Sequence, residues 1–67
     1  MNIKVKINGE TVELNEGLNL NDLALMRSLK GFFAIEKNLK IINKEDYEKT
    51  LIENGDEIEI VGFAGGG

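Results

Sequence analysis

Ile3, Val5 and Ile7 alternate with Lys4 and Lys6, and Asn8-Gly9 comes directly after them. Side chains on a strand point to opposite faces in turn, so the three aliphatic residues share one face and the lysines the other. An Asn-Gly pair is the strongest short hairpin signal, because a type I′ turn needs positive φ at both central residues. Val12 and Leu14 resume the alternation on the return strand. The chain therefore opens with a β-hairpin that buries one face.

The whole chain is 67 residues long, which is one domain. An apolar share of 42% is enough for a folded core. A chain this short buries only about 60% of its unfolded surface, so that core is thin. There is no Cys and no His, hence no disulfide, thiol nucleophile, imidazole base or zinc site of the usual kind. The only serine, Ser28, has no histidine to activate it. A net charge of −4 argues against nucleic acid as a partner. No apolar run exceeds four residues, as in Leu23 to Met26, so no membrane span is expected. Met1 leads directly into the first strand pattern without a signal peptide. The expectation is a cytoplasmic protein that is not an enzyme, binds no metal or cofactor and is a monomer when free.

Asn15-Glu16-Gly17 reads as a loop. Asn19 then has the position of a helix N-cap, with Asp22 completing a capping box. Leu20 to Leu29 contains no Gly, Pro or β-branched residue, and Leu23, Met26 and Leu29 form its stripe. With Gly31 at the C′ position, this predicts one helix of roughly three turns. Phe32 to Glu36 reads as a mostly apolar, central strand, and Leu39 to Ile42 as a short one. Asn43 to Tyr47 reads as a helical turn capped by Asn43. Leu51-Ile52 is a short apolar element, Asn54-Gly55-Asp56 a turn, and Glu57 to Phe63 the last strand. The order is α+β, with one main helix on one face of a mixed sheet of four to five strands. Its first and last strands can pair in parallel at the centre. This is the β-grasp arrangement shared by ubiquitin and its relatives.

Four of the eight glycines are Gly62, Gly65, Gly66 and Gly67. The last three have nothing to bury and much backbone entropy to lose. The expected division is therefore a domain over residues 1–64 and a flexible glycine tail over 65–67. Such a tail is either a frayed terminus or an arm that presents its terminal carboxylate at a distance. Three or four extended residues reach roughly 10–14 Å, and glycine lets them thread a narrow channel.

The run Asp56-Glu57-Ile58-Glu59-Ile60-Val61-Gly62-Phe63-Ala64-Gly65-Gly66-Gly67 resembles the C-terminus of the sulfur carrier proteins of thiamine biosynthesis, the ThiS family. Ile41-Ile42-Asn43-Lys44-Glu45-Asp46-Tyr47 is similar to that family's segment of two apolar residues, a polar stretch and an aromatic. Asn19-Leu20-Asn21-Asp22-Leu23 is similar to its Thr-Leu-x-Asp-Leu helix start, and Asn8-Gly9-Glu10 to its first hairpin. One departure is Glu36-Lys37-Asn38-Leu39-Lys40, where the family commonly has an Asn-Gly turn; a longer hairpin is expected there.

The resemblance implies a carrier with no catalytic group of its own. A partner adenylyltransferase of the E1-like, ThiF kind uses ATP to join the Gly67 carboxylate to AMP. Sulfur from a cysteine desulfurase, carried as a persulfide, displaces AMP and leaves a thiocarboxylate. A thiazole synthase of the ThiG kind takes that sulfur into the thiazole ring of thiamine. The rivals are the small subunit of molybdopterin synthase, a ubiquitin-like modifier joined to target lysines, and a passive interaction module.

Alternation on the last strand puts Ile58 and Ile60 on one face and Glu57, Glu59, Val61 and Phe63 on the other. Phe32 and Ala34 join the second face if Phe33 and Ile35 are the buried pair. Val61, Phe63, Phe32, Glu57 and Glu59 are thus the candidate docking residues beside the tail. Residues 45–59 hold seven acids and one base, which is either a solvated face or a means of steering toward a basic partner. Tyr47 reads as a core or edge aromatic rather than an acid–base group.

Overall fold

The computed structural model describes residues 1–62, and the expected domain limit at Ala64 lies outside them. Strands β1 (Asn2–Ile7) and β2 (Glu10–Asn15) form the opening hairpin, and helix α1 spans Leu20–Met26. Strands β3 (Phe33–Lys37) and β4 (Lys40–Ile42) form a second hairpin. A 3-10 helix over Lys44–Lys49 then leads to β5 (Glu57–Gly62). The sheet order is β2-β1-β5-β3-β4. β1 and β5 pair in parallel, and the other neighbours are antiparallel. The α+β, β-grasp order expected from periodicity is the order observed. The centre of the sheet is β5, whereas β3 lies one strand away from it.

The core lies between one face of this sheet and the segments that cross it. Ile3, Val5 and Ile7 from β1 meet Leu14, Ile35 and Ile58, covered by Leu20, Leu23, Tyr47 and Ile52. Phe33 stacks on Tyr47 with ring centroids 6.3 Å apart, and Lys44 Nζ stands 5.5 Å from the Phe33 centroid. Tyr47 is thus a core aromatic. Burial raises its pKa, while a backbone hydrogen bond at Ile35 opposes the rise.

Helix α1 is shorter than its apolar run. The capping box forms as expected: Asp22 N donates to Asn19 Oδ1 at 2.8 Å, and Asn19 N donates to Asp22 Oδ2 at 2.9 Å. The helix stops at Met26 because Ser28 takes a left-handed φ of 54°. Ser28 N donates to Leu25 O and Leu29 N to Ala24 O, which is the paired bonding of a Schellman end. Ser28, not Gly31, is therefore the C′ residue. The buried stripe is Leu20 and Leu23, and Met26 is exposed. Asn43 makes no side-chain cap at the 3-10 helix.

The second hairpin is not lengthened. Lys37 pairs directly with Lys40, so Asn38 and Leu39 form a two-residue turn, with φ of 52° and 71°. Asparagine enters the left-handed region readily, and leucine does not. Asn38 is held there by its own carboxamide: Nδ2 donates to Asp56 Oδ1, and Oδ1 accepts from Glu57 N. That tether carries Leu39 into the turn with it.

Candidate functional site

The face of the sheet away from α1 carries the candidate residues of β5. Glu57, Glu59 and Val61 are exposed there, and Ile58 on the opposite face is buried. Val61 retains 44% of its surface and lies opposite Ala34 of β3. Glu59 lies opposite Glu36, which in turn lies opposite Ile41 of β4. Ile41 is 69% exposed. The strand register therefore sets Val61 beside Ala34, and Ile41 beside Glu36 in the neighbouring row with Glu59.

Phe32 is 81% exposed but sits in the bend before β3 rather than in the strand. It is next in sequence to Phe33, which pairs with Gly62. The expected positions Phe63, Gly65, Gly66 and Gly67 lie outside the described residues. A cleft of about 210 Å³ lined by Lys4, Lys6, Thr11, Asp56 and Glu57 opens at the start of β5, the end remote from the glycines.

Two like charges directly opposite on a sheet are unfavourable in the free protein. Glu36 and Glu59 form such a pair. Ile41 was hidden from sequence reading because Ile41 and Ile42 are adjacent and either could face the core. Only the pairing of Glu36 with Ile41 decides between them.

Two turn asparagines hold β5, one on each side of it. Asn38 holds Glu57, the first residue of β5. Asn8, with φ of 50°, holds the same strand near its end: Ile60 N donates to Asn8 Oδ1 at 2.7 Å, and Asn8 Nδ2 donates to Ile60 O at 3.4 Å. The signal in the sequence was an Asn in each hairpin, legible there only as turn chemistry.

Among the described residues no cluster of acids is placed to hold a metal ion, and no helix is long and apolar enough to cross a membrane. The model of the ThiS family matches residues 4–67. The chain belongs to the ThiS family. A solved structure, that of the thiamine biosynthesis protein ThiS from Geobacter metallireducens, is similar in fold with a TM-score of 0.84 at 25% identity. The match covers 97% of this chain and 100% of that one. The chain is also 38% identical over 68 residues to a thiazole synthase of Paramagnetospirillum magneticum, covering 97% of this chain but only 20% of that protein. It is 39% identical over 62 residues to the uncharacterized protein ycf40 of Trieres chinensis, covering 91% of this chain and 85% of the other.

Proposed function

We propose that this ThiS-family chain is a sulfur carrier whose Gly67 carboxylate is adenylated, converted to a thiocarboxylate and used to build the thiazole ring of thiamine. The observation that carries this reading is a family match that runs through the last glycine, on a fold whose central strand leads into those glycines. In the first step the carboxylate attacks the α-phosphorus of ATP and pyrophosphate leaves. The acyl adenylate turns a poor electrophile into a good one. A persulfide sulfur, drawn from a cysteine desulfurase, then attacks the acyl carbon and AMP leaves. A second thiol opens the resulting acyl disulfide and frees the thiocarboxylate.

In this scheme the carrier supplies no catalytic group and binds no cofactor, which suits a chain without Cys or His. ATP belongs to an E1-like adenylyltransferase of the ThiF kind. The surface of Val61 and Ala34, with Ile41, Phe32, Glu57 and Glu59 and, two positions beyond Val61 in sequence, Phe63, is where that enzyme docks. A thiazole synthase of the ThiG kind consumes the sulfur, and the likeness to part of a protein of that name supports this. The carrier works in the cytoplasm as a monomer when free, as residues 1–64 with a glycine tail.

The test is to append one residue after Gly67. The extended protein should keep its fold and lose ATP–pyrophosphate exchange by the activating enzyme. Undiminished exchange would sink the reading. With ATP, the activating enzyme and a sulfur source, the intact mass should rise by one exchange of oxygen for sulfur. A ladder of conjugates to other proteins would show a modifier instead.

A further inference from the structure

We propose that Asn8 is a positioning residue for the C-terminal glycines: its carboxamide sets the direction in which β5 leaves the sheet. The inference rests on the carrier reading and adds to it a residue 59 positions away from Gly67 in sequence.

β1 cannot follow β5 to its end. Its backbone donates from Lys6 N to Asp56 O and from Asn8 N to Ile58 O, each at 2.9 Å. In an evenly spaced parallel ladder the next bond would run from Ile60 N to the Asn8 carbonyl. Asn8 and Gly9 instead turn the chain away into β2, with φ of 50° and 84°. The Asn8 side chain takes over: Oδ1 accepts from Ile60 N, and Nδ2 reaches Ile60 O. Ile60 thus spends both its backbone groups on Asn8 and lies opposite Ile35 of β3 on its other side. Among the described residues, β3 is the only strand paired with Val61 and Gly62.

Among the described residues, Asn8 is the last tether on that side of β5. Gly67 lies seven positions beyond Ile60, a reach of up to about 23 Å when drawn out. Val61 and Gly62 are the root of the arm, so their direction decides where the arm starts when β5 is docked on a partner. Misplacement by about 1 Å at a reacting centre can cost a hundredfold in rate. Asn8 itself is exposed and adds nothing to the buried core. Its carboxamide can therefore be removed without removing a packed residue.

The experiment compares Asn8→Gly and Asn8→Asp in the full chain. Glycine keeps the positive φ of the turn and deletes the carboxamide. Aspartate keeps the turn preference and the acceptor for Ile60 N. Three quantities are measured: residual dipolar couplings of the Val61 and Gly62 amides, hydrogen exchange at Ile60, and kcat and KM for ATP–pyrophosphate exchange with the activating adenylyltransferase. Asn8→Gly should change the couplings, speed Ile60 exchange by about tenfold or more, and lower kcat by about tenfold with KM within about twofold. Asn8→Asp should restore most of all three. Unchanged couplings in Asn8→Gly overturn the proposal whatever the kinetics show. So does full kcat despite altered couplings, or a loss in both variants that merely tracks melting temperature. If the unaltered chain supports no exchange at all, the carrier reading fails, while the couplings still report whether Asn8 orients the strand.

Discussion

Asn38 donates its side-chain amide to Asp56 Oδ1 at 2.9 Å, tying the tip of the second hairpin to the turn that starts β5. Asp56 is only 6% exposed. Its other oxygen accepts from Glu53 N at 2.8 Å and lies 3.5 Å from Lys37 Nζ. Asp56→Ala leaves these donors unmatched and should cost about 2–4 kcal/mol. The measurement is the urea midpoint at constant m-value. A loss below about 0.5 kcal/mol would place Asp56 with ordinary surface acids.

Leu39 combines a φ of 71° with 89% exposure. A left-handed leucine costs about 1–2 kcal/mol, and an exposed one gains little by packing. Leu39→Gly restores the preferred Asn-Gly turn. After the unfolded-state entropy of glycine is set against it, it should stabilise the domain by up to about 1 kcal/mol. Thermal melting checks this. A lower melting temperature would show that the Leu39 side chain is held by its surroundings.

Ile58 and Val61 separate stability from docking on one strand. Ile58→Ala should destabilise by about 2–5 kcal/mol, because a fully buried aliphatic group is lost. Val61→Ala should change stability by at most about 0.5 kcal/mol and weaken affinity for the activating enzyme. Phe63→Ala should behave as Val61→Ala does, with an aromatic anchor typically worth about 2 kcal/mol or more of binding. Melting and affinity are measured side by side on all three variants. Unfolding by Val61→Ala, or unchanged affinity in both surface variants, would remove this face as the docking surface.

Burial holds the Tyr47 phenol above its ordinary pKa. The stabilisation from keeping it neutral is fully present below about pH 10, the unfolded value. It is lost as pH rises from there through the folded value, because the unfolded chain releases its proton first. Tyr47→Phe should flatten that alkaline decline in a denaturation series, and an unchanged slope would assign the decline to other groups.

The legible parts of the fold were those written in local chemistry. Alternation at Ile3, Val5 and Ile7 identified the buried face of β1, and the pairing of Asn19 with Asp22 identified the start of α1. The end of α1 was not legible, because Ser28 is an uncommon residue for the left-handed position and Gly31 a common one. The β3–β4 turn was misread for the same reason. Nothing near Leu39 in sequence forces positive φ; the force comes from Asp56 and Glu57, on another part of the chain.

Residue type, period and order were enough to establish that the chain opens with a hairpin, lacks Cys and His, and runs from an alternating strand into three glycines. They did not establish that Ile41 lies opposite Glu36, that Val61 lies beside Ala34, or that Asn8 and Asn38 grip β5 from its two sides. Each of those depends on which strands lie side by side. That register is set by burying Ile7, Ile35 and Ile58 in one core, a constraint shared among residues far apart in the chain and carried by no local stretch of it.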